Sequence, residues 1–132
     1  MVNRINNLKT GEIHWIDFGK VKDHCIAGFH PALVIDRDRM TVRVIPITDN
    51  FKENCDNGEI PLPKGAGNLR KSSKLMMRQM TTVDVSSLKG RLGKVNRRYL
   101  ELVRESIKRD LIDRIDREID ESENNLKEKN KI

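Results

Sequence analysis

The sequence predicts an α+β fold that is mainly β, in which a meander of short antiparallel strands is followed by one long helix. Residues 12–95 alternate short apolar, β-branched runs with glycine, proline and charged turns, which is typical of strands. Residues 96–132 place apolar side chains three and four positions apart, which is typical of a helix. A chain of 132 residues without internal repeats predicts one domain with one modest core.

The first half of the chain predicts one strand and then a hairpin. The predicted strands of this half cover residues 12–18, 31–35 and 41–47. Residues 19–29 have little periodicity and predict a loop. Pro31 can begin the second strand, because the first residue of a strand need not donate a ladder hydrogen bond. The charged segment Asp36-Arg37-Asp38-Arg39 is the polar turn of the hairpin.

The middle of the chain predicts a long loop among short strands. Residues 49–67 are rich in Asn, Gly and Pro, and irregular segments of this length are often functional. The predicted strands of this half cover residues 59–62, 73–80 and 90–95. Asp84 is predicted to cap a short turn, since its carboxylate can accept the free amides at the start of that turn.

The last part of the chain predicts one helix that begins after Asn96, a residue well suited to cap it. Its apolar stripe consists of Leu100, Val103, Ile107, Leu111, Ile115 and Ile119. The pattern fades after Asp120. We therefore expect a single domain over residues 1–120 and a charged, frayed tail over residues 121–132.

Composition excludes several classes of protein. No run approaches the roughly 18 apolar residues that a membrane helix needs. The first seven residues lack the apolar segment of a secretory signal. Cys25 and Cys55 are too few for a disulfide framework, so we expect two reduced thiols in a cytoplasmic protein.

The positive charge is concentrated in the first part of the chain. Residues 1–95 carry 16 Lys and Arg against 10 Asp and Glu, whereas residues 96–132 carry 10 of each. Five basic residues lie between Ile60 and Val83 with no acidic residue among them, namely Lys64, Arg70, Lys71, Lys74 and Arg78. This stretch predicts a surface for the phosphates of a nucleic acid, with a solvated basic face as the alternative.

Three successive segments resemble the motifs of the PemK/MazF toxin family. They are Gly11-Glu12-Ile13-His14-Trp15-Ile16-Asp17-Phe18, Gly28-Phe29-His30-Pro31-Ala32-Leu33-Val34-Ile35 and Val44-Ile45-Pro46-Ile47-Thr48. A fourth segment, from Ser73 to Asp84, resembles a later family strand, with Ser73, Gln79, Thr82 and Asp84 in matching places. The resemblance covers residues 10–112 and is weakest over residues 50–72.

The resemblance implies an SH3-like small antiparallel barrel of the PemK/MazF/CcdB type with a C-terminal helix. It implies the toxin of a type II toxin–antitoxin system, acting as a homodimer and restrained by a cognate antitoxin. It also implies an endoribonuclease that cleaves single-stranded RNA or mRNA at specific sequences through attack by the 2′-OH, without metal or cofactor. Apolar residues beyond the usual end of the family, Ile112, Ile115, Ile119 and Leu126, can pair with a second copy or with the antitoxin.

The family pattern implies a catalytic pair, formed by an arginine before the proline of the second motif and a threonine at the end of the third. Thr48 matches, whereas His30 stands in the place of the arginine. Cys25 stands where some members carry an acidic residue. An imidazole can take or give a proton near neutral pH, while a guanidinium mainly supplies charge and paired donors. We therefore expect His30 to act as base or acid, Thr48 to hydrogen-bond the scissile phosphate and His24 to carry the second proton.

RNA contacts are expected on the loop before Pro31 and on the basic stretch, because cations hold phosphates and aromatic rings stack on bases. The expected RNA-binding residues are Lys22, Phe29, Lys71, Lys74, Arg78 and Gln79.

Two other interpretations follow from the residues. A metal site built from His24, Cys25, His30 and Cys55 is disfavoured, because their spacing matches no common zinc motif, and we expect none. The alternative function is a non-catalytic small barrel that binds nucleic acid, or that poisons DNA gyrase as some toxins with this barrel do. Cleavage of RNA by the purified chain distinguishes an enzyme from a binding module, and His30 is the residue on which the difference depends.

Overall fold

A computed structural model of the chain describes residues 8–20, 26–50 and 59–129. The strands are β1 (Glu12–Asp17), β2 (Phe29–Arg37), β3 (Thr41–Thr48), β4 (Glu59–Leu62), β5 (Ser73–Met76), β6 (Thr81–Asp84) and β7 (Leu88–Lys94). Single-turn 3₁₀ helices cover Ala66–Asn68, Met77–Gln79 and Val85–Ser87, and the α-helix α1 covers Arg97–Lys129. No helix in this part of the chain is long and apolar enough to cross a membrane.

All strand pairs are antiparallel, and three of them share β3. The strand order is β4-β5-β3-β2-β1-β7, with β6 added beside β3. One edge of β3 pairs with β2, while the other pairs first with β6, over Thr41 to Val44, and then with β5, at Ile47 and Thr48. The predicted fold class, a mainly antiparallel β fold of small-barrel type with one long C-terminal helix, is confirmed.

A 3₁₀ helix, rather than a strand ladder, connects the two ends of the sheet. Among the described residues β4 and β7 do not pair, so the hydrogen-bonded path stays open. The 3₁₀ helix Ala66–Asn68 follows β4 and packs against β7, where Asn68 Nδ2 donates to the Leu92 carbonyl oxygen over 3.0 Å. Gly67 is buried at φ +56°, and a Cβ there would overlap the Ile13 side chain. Packing of this turn therefore takes the place of barrel closure.

The sheet packs a hydrophobic cluster on each face. The larger cluster faces α1 and contains Ile13, Leu33, Ile45, Ile47, Leu62, Leu69, Leu75, Met77, Val95 and Val103. The smaller cluster contains Ile16, Ala32, Val34, Val42 and Val44, with Phe18, Val83, Val85 and Leu88 packed against it. Successive side chains of a strand point to opposite faces, so the central strands contribute to both clusters.

The α-helix begins as predicted and extends beyond the barrel-like body. Asn96 Oδ1 accepts a hydrogen bond from Arg98 N at 3.0 Å, which confirms the predicted cap. The side chains of its first turns that pack on the larger cluster are Tyr99, Leu100, Val103 and Ile107. Every residue from 111 to 126 is exposed. The helix continues to Lys129, and both the fraying of the tail and the domain boundary at residue 120 stay predictions.

The predicted strand over residues 73–80 ends at Met76, and a 3₁₀ helix separates it from the next strand, β6, which begins at Thr81. Leu75 pairs with Ile47 of β3, and Thr81 pairs with Val44. The two β3 residues, Ile47 and Val44, are three positions apart, whereas their partners Leu75 and Thr81 are six positions apart. The three extra residues form the 3₁₀ helix Met77–Gln79, and β6 was not predicted as a separate strand. Asp84 caps the next 3₁₀ helix as predicted, because its Oδ1 accepts from Ser86 N at 2.9 Å.

A buried carboxylate joins β1 to β7. Glu12 is 7 % exposed; its Oε1 accepts from Lys9 N at 3.1 Å and lies 3.2 Å from His14 Nε2, while its Oε2 lies 3.1 Å from Arg91 Nε. Burial by itself raises the pKa of the Glu12 carboxyl, but the hydrogen bonds from Lys9 and His14 and the charge of Arg91 outweigh it. The net pKa therefore lies below the usual value, and the group is an ionised structural one.

Replacing Glu12 with Gln is expected to lower the free energy of unfolding by about 1–3 kcal/mol near neutral pH, because Arg91 loses its partner. Since the pKa of Glu12 is lower in the folded chain, its contribution is present above the pKa of the unfolded chain and is lost as the pH falls through the folded value. Wild type and Glu12→Gln should therefore converge in acid. Urea unfolding over that pH range measures the difference, and a constant gap would contradict the assignment.

Replacing Gly93 with Ala is expected to destabilise the junction of β7 with the 3₁₀ helix Ala66–Asn68, by about 1–3 kcal/mol. A Cβ at Gly93 would overlap the backbone carbonyl of Gly67, which cannot swing aside as a side chain can. Lys94→Ala, at the exposed neighbouring position, is the matched control and should change stability by less than about 0.5 kcal/mol. Thermal unfolding measures both variants, and equal effects would refute the packing explanation.

Candidate active site

The β2–β3 pair brings the two predicted catalytic positions to one end of the sheet. The paired residues run from Ala32 opposite Pro46 to the hairpin turn. His30 precedes that first pair by two residues on β2, and Thr48 follows it by two residues on β3. Because the strands are antiparallel, His30 and Thr48 lie at the same end of the pair.

His30 is half-buried and lies on β2, which has β3 on one side and β1 on the other. It pairs with Ile16 in the β1–β2 register, and its ring centroid lies 6.5 Å from that of Phe18, with the ring planes tilted by 59°. Tilted aromatic pairs at this separation restrict each other's orientation. The imidazole therefore has a neighbour that orients it at the margin of the smaller hydrophobic cluster.

The loop before His30 is closed by backbone hydrogen bonds at its base. Phe18 N donates to the Gly28 carbonyl oxygen at 2.9 Å, and Gly28 N donates to the Gly19 carbonyl oxygen at 2.8 Å. Gly28 has φ +74°, a left-handed conformation that glycine adopts without the usual steric cost. The loop residues predicted to take part in the site, Lys22 and His24, lie outside the described residues.

Thr48 is almost fully buried, with 2 % of its surface exposed. Its Oγ1 accepts a hydrogen bond from Asn50 N at 3.1 Å, and it pairs with Lys74 in the β3–β5 register. A hydroxyl that accepts one hydrogen bond still has its proton to donate. Thr48 can therefore donate a hydrogen bond at the end of β3.

Two of the predicted phosphate-binding lysines lie close to Thr48 in different settings. Lys74 is 3 % exposed, and its Nζ forms an ion pair with Glu59 Oε1 at 2.9 Å between β5 and β4. Lys71 is exposed and lies 3.7 Å from Asp49 Oδ2, beside the end of β3. Lys71 presents its ammonium at the surface, whereas the ammonium of Lys74 is enclosed between strands.

A cleft of about 560 Å³ opens beside this end of the sheet. Phe18, which contacts the His30 ring, and Pro46, two residues before Thr48, form part of its wall. The polar residues that line the cleft are Asp17, Lys20, Gln79, Thr81, Thr82, Asp84 and Ser87. Gln79 is thus the predicted RNA-binding residue that lines the cleft itself.

The remaining predicted residues lie around the cleft. Arg78 is exposed on the 3₁₀ helix that carries Gln79. Phe29 is 62 % exposed and pairs with Asp17 across the β1–β2 ladder. An exposed aromatic ring beside a cleft can stack on a flat ligand such as a base.

The cleft also contains two carboxylates, Asp17 and Asp84, to which the sequence analysis assigned no role in the site. Asp17 lies at the end of β1, where its Oδ1 accepts from Gly19 N at 2.9 Å. The hydrogen bonds from the amide and hydroxyl of Ser86 lower the pKa of Asp84, which caps the 3₁₀ helix Val85–Ser87. The signal that could have identified Asp17 is its place at the end of a strand, directly before the predicted loop.

No cluster of three metal-ligating side chains occurs among the described residues. Of the four candidate ligands, His24, Cys25 and Cys55 lie outside that part of the chain, so the expectation of a metal-free site stays a prediction.

Comparison with protein families identifies the chain. The model of a family described as the PemK-like, MazF-like toxin of type II toxin–antitoxin system matches residues 9–111. No curated protein sequence matches the chain. The match ends where the exposed half of α1 begins.

Solved structures share the fold. A MazE–MazF complex from Deinococcus radiodurans has a TM-score of 0.61 and 22 % identity, and the alignment covers 79 % of this chain and 95 % of that chain. An endoribonuclease in complex with its cognate antitoxin from a mycobacterial species has a TM-score of 0.60 and 14 % identity, covering 80 % and 94 %. Mycobacterium tuberculosis toxin MazF-mt6 has a TM-score of 0.56 and 22 % identity, covering 73 % and 91 %.

The family match covers most of the chain and includes every strand, together with the loop base, His30, Thr48 and the cleft described above. The chain therefore belongs to the PemK-like, MazF-like toxin family of type II toxin–antitoxin systems.

Proposed function

We propose that this chain is a cytoplasmic, metal-independent endoribonuclease that cleaves single-stranded RNA at specific sequences. The observation that carries the proposal is the position of His30 and Thr48 at one end of the β2–β3 pair, beside a cleft that polar side chains line in part. Membership of a toxin family and the fold shared with a mycobacterial endoribonuclease support it.

The proposed reaction is a transesterification at one phosphate. The ribose 2′-oxygen attacks the adjacent phosphorus while its proton passes to a base. The bond between phosphorus and the 5′-oxygen breaks, and that oxygen takes a proton from an acid. The products are a 2′,3′-cyclic phosphate and a 5′-hydroxyl, so the step balances without water, metal or cofactor. A hydrogen-bond donor or cation near the phosphate stabilises the charge of the transition state.

The proton chemistry is assigned to His30, whose imidazole can act as base or acid. His24 is proposed as the second proton carrier. Thr48 is proposed to donate its hydroxyl proton to a phosphate oxygen, since its Oγ1 already accepts from Asn50 N. With His30 in place of an arginine, proton transfer takes over part of the role that a fixed positive charge would fill.

The RNA is proposed to follow the cleft and its rim. Gln79 lies in the cleft, where an amide can read the edge of a base, and the exposed ring of Phe29 can stack on the next base. The exposed Lys71 and Arg78 are proposed to contact phosphates, together with Lys22. Lys74 is proposed to act less directly, because its buried ion pair with Glu59 holds β5 opposite Thr48.

The protein partners are proposed to be a second copy and a cognate antitoxin. Two structures with the same fold are an endoribonuclease in complex with its cognate antitoxin and a MazE–MazF complex. Trp15, on the β1–β7 side of the sheet, is 41 % exposed and is proposed as one contact of a protein interface, where tryptophan is enriched.

Replacing His30 with Ala is expected to lower the rate of RNA cleavage by about 10²–10⁴-fold, because a proton carrier is lost. The measurement is cleavage of a long single-stranded RNA in EDTA, with the product ends mapped. Wild type should yield cyclic phosphate ends, and a 2′-deoxy residue at the cut site should block the reaction. His14→Gln, which changes the other described histidine at a position away from the cleft, should keep the activity.

His30→Arg provides a sharper test of the proton role. This variant should retain part of the cleavage, but its rate should depend less on pH than the wild-type rate, because only one of the two proposed imidazoles, that of His24, remains. RNA that wild type binds but leaves intact would overturn the enzyme proposal and support the binding module. Equal cleavage by wild type and His30→Ala, with the fold retained, would remove His30 from the reaction.

Replacing Thr48 with Val is expected to lower kcat by about 10–10³-fold with little change in KM, since the lost hydroxyl serves the transition state. Thr48→Ser keeps the hydroxyl and should keep most of the activity. Urea unfolding of both variants is the control. A hydroxyl that only supports the fold would lower the stability of Thr48→Val and leave its kcat unchanged, which would contradict the assignment.

A further inference from the structure

The exposed half of α1 carries an apolar stripe that the barrel-like body does not cover. The stripe consists of Ile112, Ile115, Ile119 and Leu126, which are between 47 % and 59 % exposed. We call it the distal stripe. It begins where the family match ends, at residue 111, and it lies beyond the last α1 residue that packs on the larger cluster, Ile107. It is therefore a surface separate from the candidate active site.

The spacing of the distal stripe is that of a coiled-coil seam. Together with Ser122, its members lie three, four, three and four residues apart from Ile112 onward. This is the a and d pattern of heptads, with one polar residue in the seam. Ile115, Ile119, Ser122 and Leu126 lie along one side of α1, with Glu118 and Glu123 beside them. The residue pattern of this surface is therefore the one that pairs with a further helix.

The flanks of the distal stripe are acidic. Residues 110–126 carry seven Asp and Glu against two Arg, a net charge of −5. The flanking e and g positions of the seam include Asp116 and Glu123 on one side and Glu118 on the other. Within the described part of the chain, none of these three carboxylates forms an ion pair or a hydrogen bond.

Both arginines of this segment are already engaged within the helix. Arg114 Nη2 lies 2.7 Å from Asp110 Oδ2, and Arg117 Nε donates to the Asp113 carbonyl oxygen at 3.4 Å. They therefore offer little compensation to the acidic flanks. Two copies packed stripe against stripe would bring the flanking carboxylates Asp116, Glu118 and Glu123 of one copy close to those of the other, in either relative direction, and this repulsion disfavours a second copy as occupant.

We propose that the distal stripe binds an amphipathic helix of another protein, whose own apolar stripe is flanked by lysine or arginine. Apolar contact along the seam supplies the attraction, and the acidic flanks select a basic partner over an acidic one and over self-pairing. The site does not depend on RNA cleavage, so it stands whether or not the proposed function holds.

The test is a titration of the isotope-labelled full chain with two synthetic helical peptides, followed by NMR. Both peptides carry Ile at a and d; one carries Lys and the other Glu at e and g. The Lys peptide should shift the amide signals of residues 111–126 and bind at least about tenfold more tightly than the Glu peptide. Raising the salt concentration should reduce this preference, because the charges are exposed.

Three variants make the test specific. Ile115→Asn with Ile119→Asn should weaken binding of the Lys peptide by about tenfold or more. Glu118→Lys with Glu123→Lys should reverse the preference toward the Glu peptide. Asp113→Lys with Glu121→Lys makes the same charge change on the opposite side of α1 and should keep the original preference.

Equal affinity for the two peptides would overturn the proposal. So would a dimer of the full chain, detected by sedimentation, that Ile115→Asn with Ile119→Asn dissociates, because a second copy would then be the occupant. Circular dichroism of each variant establishes that α1 is retained.

Discussion

Strand β3 hydrogen-bonds along both of its edges, with β2 on one side and with β6 and then β5 on the other. The chain between β5 and β6 has three more residues than pairing with β3 can use. These residues leave the sheet as the 3₁₀ helix Met77–Gln79. That excursion places Gln79 in the cleft, and the end of β3 places Thr48 opposite Lys74. The positions of these residues in the candidate site thus follow from the pairing of β3 with β2, β5 and β6.

The two outer strand pairs of the sheet are each joined by a largely buried charge. Glu12 holds Arg91 between β1 and β7, and Lys74 holds Glu59 between β5 and β4. An ion pair with one buried partner adds little net stability, because desolvation of the buried group offsets most of the attraction, but a mispaired register would leave Glu12 or Lys74 buried without its partner. We infer that these pairs serve the register of the outer strands. The barrel-like sheet, which is open between β4 and β7 among the described residues, depends on that register and on the packed turn around Gly67.

The helix α1 divides into two parts with different physical roles. Its first turns bury Val103 and Ile107 against the sheet, and residues 111–126 extend past the surface that the sheet offers. The second part carries the apolar distal stripe, which does not pack on the sheet and is flanked by acidic residues. A partner accounts for this exposed seam better than the fold does, since every residue from 111 to 126 is exposed.

What the sequence by itself determined is local. The hairpin around Asp36 to Arg39, the short strand Glu59–Leu62, and the caps at Asp84 and Asn96 all depend on residues within a few positions of one another. The family motifs also located His30 and Thr48 at the ends of two neighbouring strands, and the register agrees.

Only the tertiary structure decided the rest. The break between β5 and β6, the enclosure of Lys74 and the contribution of Asp17 to the cleft depend on which distant strands meet. Lys74 has the composition of a surface phosphate contact, but its neighbours are supplied by β4, 15 residues away. Burial and register are set by contacts between remote segments, and local propensity does not encode them.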